Sequence, residues 1–352
     1  MSTLLPTWPG PVTSGPDFSN NLGALLRGEQ PARPVLFEFY HNTPLMRAVA
    51  GDRPGELDYQ REIRAWALLG YDHANLGPKN GFCFPRGEVH KAQSISANEG
   101  AVITDRASFE RYVWPDVSAL DWGFLDQAAA VLVPGQKLMA CGPGGVLENV
   151  ISLVGFEHLC ELVSDDPELV QDVFDKVGGC LLAYYQRVVG HPAIGLLMSN
   201  DDWGFKTQTM LSPKQMRRFV FPWHERIVAC GHAAGKPVVL HSCGNLAPVM
   251  DDVIDGLKYN GKHSYEDGIM RVEEASARWG KRIAILGGID LDYLCRTQPA
   301  EIHARSAALL AASGGRWAAG SGNSVPEWVP SAAFLACIEP SLKGRRQAAA
   351  AA

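Results

Sequence analysis

The chain has 352 residues, of which 46% are hydrophobic and 20% charged, with a formal net charge of −6 and a sequence pI near 5.9. This composition supports a large buried core and excludes a disordered chain, while the acidic balance argues against a nucleic-acid partner, which needs clustered basic residues. Eight scattered cysteines, no signal-like N-terminus and no apolar run of about 20 residues predict a cytoplasmic protein without a membrane span.

Short apolar or β-branched runs alternate with helix-like stretches along the chain, a pattern typical of repeated strand–helix units. We predict eight strands, at residues 35–40, 71–76, 137–141, 194–199, 237–240, 257–260, 283–286 and 316–319. Eight parallel strands close a (β/α)8 TIM barrel, so we expect an α/β fold with a single domain over residues 21–342. Residues 1–20 are assigned to an N-terminal extension and the alanine-rich residues 343–352 to a disordered tail.

The stretch from Gly81 to Asp116 is too long for a simple turn and includes strand-like residues at 101–104. We therefore expect an excursion or hairpin over the barrel mouth after the second strand. A doubly wound open sheet is the main alternative, because strand–helix alternation alone does not distinguish the two folds. Polar clusters after most of the strands favour the barrel, whose active sites form at the carboxyl ends of its strands.

The strongest candidate chemistry follows the fifth strand, where His241 and Cys243 are two residues apart. This spacing puts an imidazole and a thiol on the same side of the chain, and both are zinc ligands. The alternative is a hydrogen-bonded core histidine beside a buried cysteine. Asp202, after the fourth strand, is a candidate metal ligand, general base or helix cap.

Other polar residues at strand ends are assigned to catalysis and substrate binding. His263 and Glu266 follow the sixth strand and are expected to handle protons together with Asp202. The expected substrate-binding residues are His41, Asn75, Trp203 and Asn323. Glycine-rich turns at 142–145 and 287–288 lack the phosphate-loop lysine and the dinucleotide pattern, so we interpret them as close backbone approaches to a substrate.

Three blocks occur in order along the chain, namely GKPVVLHSCGN at 235–245, ILGGID at 285–290 and GSGNSVP at 320–326. With these blocks the chain resembles the uroporphyrinogen decarboxylase superfamily between residues 20 and 340. That superfamily comprises (β/α)8 barrels and includes haem-pathway decarboxylases and zinc-dependent corrinoid methyltransferases. The resemblance implies a barrel enzyme of one of these two kinds.

The decarboxylase branch fits poorly at two places. The resemblance implies arginines near the first strand and an aspartate after the second, whereas this chain has VLFEFYHN at 35–42 and Asn75. The methyltransferase branch binds zinc through a His-x-Cys pair, which matches His241 and Cys243, and through a later cysteine, which is Ser321 here. Asp202 or Glu266 is then expected to complete the ligand set.

Replacing a thiolate ligand by oxygen should make zinc a stronger Lewis acid, which suits polarisation of a leaving oxygen. The leading hypothesis is therefore O-demethylation, in which a zinc-dependent methyltransferase moves a methyl group from a small methoxylated or similar donor to a separate corrinoid protein, forming methylcobalamin. Uroporphyrinogen decarboxylation and a non-catalytic ligand-binding barrel are the alternatives. The oligomeric state stays open, and a homodimer is one option.

Overall fold

The predicted strand–helix alternation is present in the computed structural model, which describes residues 15–88 and 97–351. The strands are β1 Val35–Leu36, β2 His73–Leu76, β3 Lys137–Cys141, β4 Ile194–Asn200, β5 Val238–His241, β6 Gly261–His263, β7 Ala284–Leu286 and β8 Trp317–Ala319. All seven ladders are parallel and join the strands in the order β1-β8-β7-β6-β5-β4-β3-β2. This curled sheet is that of a (β/α)8 barrel, which confirms the predicted fold.

Helices occupy the segments between the strands. They are α1 Leu22–Leu26, α2 Thr43–Ala50, α3 Asp58–Leu69, α4 Arg106–Arg111, α5 Gly123–Ala129, α6 Val146–Val154, α7 Phe156–Asp165, α8 Pro167–Val189, α9 Pro213–Gln215, α10 Phe221–Ala233, α11 Val272–Trp279, α12 Leu291–Arg296, α13 Pro299–Ala312 and α14 Ser331–Ala351. A π-helical segment, Met216–Val220, joins α9 to α10. Side-chain caps start several of them, as where Asp166 accepts a 2.9 Å hydrogen bond from Leu169 N at the start of α8. Within the described residues, no helix combines the length and apolar character that crossing a bilayer requires.

Inward-facing strand residues and α1 fill the amino end of the barrel. Phe18, Leu22, Leu25 and Leu26 belong to one buried cluster with interior residues such as Val239 and Leu286. The packing is tight enough that a Cβ added at Gly261 would lie 2.9 Å from Leu26 Cδ2. The amino end is therefore a packed core, and the open end of the barrel is the carboxyl end.

The gap between β1 and β2 is bridged by side-chain contacts. His73 Nε2 lies 3.2 Å from the Glu38 carbonyl oxygen, and the His73 ring stacks on Phe37 with centroids 5.1 Å apart. These contacts tie the ends of the eight-stranded sheet together.

The sixth strand begins later than the sequence indicated. Residues 257–260 were assigned to it, but Leu257 N still bonds to Asp252 O at 2.7 Å, and Lys258 has a left-handed backbone with φ of 63°. This segment therefore turns out of a helical segment, and pairing with β5 and β7 covers Gly261–His263. His263 is consequently the last residue of β6.

The segment after β2 is the expected excursion, although residues 89–96 of it lie outside the described part. The strand-like residues 101–104 form no strand, because Val102 N and Ile103 N both donate to Leu153 O at the end of α6. At the termini, residues 1–14 of the assigned extension are also outside the described part. The backbone of residues 343–351, assigned to a tail, continues α14, as the high helix propensity of alanine favours.

Candidate metal centre and adjoining cleft

Three ligand-type side chains meet at the carboxyl ends of β4 and β5. The candidate ligand atoms of Asp202, His241 and Cys243 all lie within 4.8 Å of one another. His241 Nε2 is 3.8 Å from Cys243 Sγ and 3.9 Å from Asp202 Oδ1. In a tetrahedral zinc site with usual bond lengths, ligand atoms are separated by about 3.4–3.6 Å. Small side-chain shifts would therefore seat one ion, and three protein ligands leave a fourth position open for a substrate.

The His241 imidazole is oriented by His263. Their Nδ1 atoms are 2.7 Å apart, and both rings are buried. Metal binding through Nε2 requires the lone pair of that nitrogen. The proton of neutral His241 is then on Nδ1, and this N–H donates a hydrogen bond to His263. Burial lowers the pKa of His241 to about 4, which keeps the ring neutral as a ligand must be. His263, expected to handle protons at a leaving group, instead lies behind His241 and away from the opening.

The sulfur of Cys243 accepts two hydrogen bonds. Ser264 Oγ donates across 3.4 Å and Asn323 Nδ2 across 3.2 Å. Burial, and then the neighbouring Asp202 carboxylate, raise the pKa of the Cys243 thiol to about 12. A sulfur that accepts two hydrogen bonds beside a carboxylate suits a cation, whose charge would stabilise thiolate and carboxylate together. Asn323, expected to bind substrate, therefore contacts a candidate ligand.

Asp201 and Trp203, on either side of Asp202, belong to the core. The buried Asp201 carboxylate accepts hydrogen bonds from Leu147 N, Glu148 N and Trp203 Nε1, each at 2.9 Å, and lies 2.9 Å from His224 Nε2. Trp203 is fully buried against His224, so the structure does not place it on a substrate surface as expected. These contacts fix the loop that carries Asp202.

Ser321 lies outside the triad. Its hydroxyl is 2.8 Å from Glu38 Oε2 and 2.5 Å from Asn323 O, and its backbone N–H donates to Glu38 Oε1. Burial raises the pKa of Glu38 to about 8 even though Ser321 donates to it. Ser321 is the position where the resemblance implies a third thiolate, but here it binds the buried carboxyl group of Glu38. Asp202 is the third ligand-type side chain near His241 and Cys243.

Glu266 lies at the opening beside the triad. It lines a depression of about 360 Å³ together with Cys243, Lys206 and Asp290. Burial, followed by the Asp290 and Asp202 carboxylates, raises its pKa. Glu266 therefore combines access to the Cys243 side of the site with a tendency to retain a proton.

A cleft of about 420 Å³ lies at the carboxyl ends of β1 to β4. Its described lining is rich in rings and contains one lysine and no arginine: Phe39, Tyr40, His41, Met46, Glu62, Trp66, Asn75, Gly77, Pro78, Lys79, Phe82, Gly142, Pro143, Gly144 and Asn200. Phe39 connects this cleft to the triad, since its ring centroid is 4.7 Å from that of His241.

Two of the expected substrate-binding residues line this cleft. Neither ring nitrogen of His41 has a hydrogen-bond partner, and burial lowers its pKa to about 3. Asn75 Oδ1 accepts a hydrogen bond from Cys141 Sγ at 3.3 Å, while its Nδ2 is buried without a partner. Unpaired buried polar atoms are costly in a folded protein, so these groups are suited to receive a ligand.

The two glycine-rich turns differ in what approaches them. Gly142 and Gly144 line the cleft, in keeping with the expected approach to a substrate. Gly287, in contrast, is required by the protein itself, because a Cβ there would lie 2.2 Å from Ser321 O. The geometry therefore does not support the expectation that the turn at 287–288 approaches a substrate.

Sequence reasoning missed Ser264, Lys262 and Glu38. Ser264 has a left-handed backbone with φ of 83°, and Lys262 Nζ donates to its carbonyl oxygen. Lys262 is buried, which lowers its pKa to about 8. Residues 259–263 read YNGKH, which is not an apolar run, so the residue types gave little signal of a buried charge at this position.

A (β/α)8 barrel with a three-residue metal-ligand cluster and a ring-lined cleft at its open end has the architecture of a TIM-barrel active site. Residues 133–339, more than half of the chain, match the sequence pattern of the uroporphyrinogen decarboxylase (URO-D) family. The chain belongs to this family.

The comparison with solved structures agrees on the fold. A methyltransferase from Methanosarcina mazei superposes with a TM-score of 0.69 at 16% sequence identity, covering 93% of this chain and 99% of that chain. An arabinopyranosidase from Geobacillus stearothermophilus, in complex with arabinose, gives a TM-score of 0.34 at 10% identity, covering 76% of this chain and 63% of that one, and carries no argument. No curated protein matches the sequence significantly.

Proposed function

We propose that the chain is a zinc-dependent methyltransferase that moves a methyl group from a small methoxylated or similar donor to the cobalt of a separate corrinoid protein. The observation that carries the proposal is the Asp202, His241 and Cys243 cluster at the open end of the barrel. Its mixture of one oxygen, one nitrogen and one sulfur ligand suits a catalytic zinc site. The structural likeness to a methyltransferase adds support.

In the proposed reaction the donor R–O–CH3 loses its methyl group to cobalt(I). The oxygen–carbon bond breaks and leaves its electron pair on oxygen, while the cobalt(I) electron pair forms the new bond and gives methylcobalt(III). Bound zinc would supply Lewis acidity to the leaving oxygen. Glu266, at the opening and with a raised pKa, is proposed to give that oxygen its proton.

His41 and Asn75 are proposed to hold the donor, because both line the cleft and both have buried polar atoms without a hydrogen-bond partner. His263 positions His241, and Asp202 completes the ligand set. The ring-rich lining favours a donor with an apolar or planar body.

Zinc content tests the proposal. We expect about one zinc ion per chain after loading, and Cys243→Ser should lower both zinc retention and methyl transfer to added cob(I)alamin by about 10-fold or more. Cys160→Ser, at an exposed cysteine on α7, is the matched control and should change neither. Less than about a tenth of an equivalent in the unmodified protein, with no change on Cys243→Ser, would rule out the zinc site.

Uroporphyrinogen decarboxylation is the competing activity of the family. We expect no turnover of uroporphyrinogen above background, because the described cleft lining offers Lys79 as its one cationic side chain to a substrate with many carboxylates. Product analysis under anaerobic reducing conditions measures this. Formation of coproporphyrinogen with enzyme-like turnover would favour uroporphyrinogen decarboxylation over methyl transfer as the function of the chain.

A further inference from the structure

We propose that Ser264 and Asn323 are positioning residues that donate hydrogen bonds to the Cys243 sulfur and so weaken its electron donation to a bound metal ion. The inference rests on the metal-binding part of the proposed function. It goes beyond that function because it assigns two residues to the tuning of one ligand.

The Asn323 amide is fixed with its donor toward sulfur. Its Oδ1 accepts a hydrogen bond from Ser324 N at 2.7 Å, which leaves Nδ2 facing Cys243 Sγ at 3.2 Å. The backbone N–H can pair only with the oxygen of the amide, so this contact determines which end of the side chain meets the sulfur. Asn323 therefore acts as a donor to Cys243.

Ser264 is held in a strained conformation that directs its hydroxyl to the same sulfur. It is one of two non-glycine residues with positive φ among those described, and its carbonyl oxygen accepts a hydrogen bond from buried Lys262. Tyr265 N also donates to Gly322 O at 3.0 Å, which joins the turns after β6 and β8. Backbone strain persists where surrounding contacts hold it, and here they place Ser264 and Asn323 side by side.

Two donors converging on one sulfur is a pattern suited to a thiolate. A neutral thiol is a weak acceptor, whereas a thiolate gains from each donor. The buried thiol of Cys141 has a mixed environment instead, since its Sγ donates to Asn75 Oδ1 at 3.3 Å and lies 3.5 Å from the Tyr40 hydroxyl. Hydrogen bonds to a thiolate withdraw charge from it, so they should leave the bound metal more electrophilic.

Cobalt(II) substitution gives a direct readout, because the thiolate-to-cobalt charge-transfer band reports electron donation by sulfur independently of turnover. In Ser264→Ala and in Asn323→Ala we expect this band at longer wavelength than in the unmodified protein, with cobalt still bound. Methyl transfer by the zinc-loaded variants should fall about 10- to 100-fold. An unchanged band in both variants would overturn the inference.

Further variants separate the hydrogen bond from the backbone. Ser264→Gly relieves the positive φ but also lacks the hydroxyl, so it should shift the band as Ser264→Ala does. Ser324→Ala keeps the backbone contact to Asn323 and is the matched control. If Ser264→Ala shifts the band and Ser264→Gly does not, the effect comes from backbone strain and the inference is wrong.

The same measurements separate this inference from the proposed function. If the unmodified protein binds no cobalt or zinc, both fail. If it binds cobalt and the variants show no band shift, only this inference fails.

Discussion

At the scale of single residues, Glu38 is a buried acid with no cationic partner among the residues that the structure describes. Its carboxyl group is completely buried, accepts hydrogen bonds from Ser321, and has a pKa raised to about 8 by burial. The Cys337 thiol of α14 lies near this carboxyl group, and His73 Nε2 contacts the Glu38 backbone carbonyl oxygen. The folded state therefore keeps a proton on Glu38 at neutral pH.

This proton makes stability depend on pH. Because the pKa is higher in the folded chain than its ordinary value of 4.5, the stabilisation is complete below pH 4.5 and is lost as pH rises through about 8. Buried His41, His73 and His241, whose pKa values are lowered from 6.5, act with the opposite sign below pH 6.5. We therefore expect the free energy of unfolding to fall between pH 6.5 and about 8, and Glu38→Gln to reduce that slope. Denaturant unfolding across this range measures it. Glu148, whose pKa is also raised to about 8, contributes with the same sign, so a slope identical in Glu38→Gln and the unmodified protein would contradict the assignment.

The sequence indicated the three candidate ligand residues, which the structure brings together, but not the groups around them. Asp202, His241 and Cys243 were predictable because each follows an apolar strand and has ligand chemistry. The role of Ser264 depends on a positive φ, and that of His263 on facing His241 across neighbouring strands, neither of which the residue type reveals. Trp203 was misjudged because a tryptophan in a polar loop can equally pack inward, as it does here.

At the scale of elements, Asp201 joins β4 to the start of α6. Its carboxylate accepts the first free N–H groups of that helix, which is favourable because a helix N-terminus carries partial positive charge. The same helix follows the glycine turn that lines the cleft. One buried side chain thus fixes the end of a strand, a helix and a wall of the cleft.

Removal of this carboxylate should be costly. Asp201→Ala leaves several buried donors without partners, so we expect a loss of about 3 kcal/mol or more in the free energy of unfolding. Asp166→Ala, which removes a partly exposed cap of α8, should cost about 1 kcal/mol. Denaturant unfolding of both variants gives the comparison, and equal losses would show that the Asp201 network adds nothing beyond an ordinary cap.

Strand positions were predicted closely where apolar runs are uninterrupted, as for β3 and β4. The prediction failed for β6 because Leu257 to Asn260 looks extended in sequence, while Lys258 adopts a left-handed turn. The buried charge of Lys262 and the glycine at 261 concealed the true strand. Tertiary pairing with β5 and β7 decided the register there.

At the scale of the whole molecule, the (β/α)8 fold was predictable because polar clusters follow so many strands. The plugging of its amino end by α1 was not, since five apolar residues near a chain start have no distinctive pattern. The conformation of the segment after β2 could not be predicted either, because the backbone of its described residues is held by contacts with α6 more than by local propensity.

Metal binding should stabilise the whole barrel. An ion that binds only the folded chain at a hundredfold excess over its Kd adds about 2.7 kcal/mol, which corresponds to a rise of a few degrees in Tm. We expect zinc to raise the Tm of chelator-treated protein, and Cys243→Ser to remove most of that rise. Thermal unfolding with and without zinc checks this. An equal rise in Cys243→Ser would locate the zinc elsewhere.

The candidate ligands come from the end of β5 and from the loops after β4 and β5, whereas most of the cleft lining comes from segments after β1, β2 and β3. Under the proposed function, substrate preference and metal retention are therefore encoded by different stretches of sequence. Changes at Tyr40, Glu62 or Lys79 can alter which donor fits while the ligand loops stay intact. Under the same proposal, this division marks one half of the barrel for directed evolution of donor range.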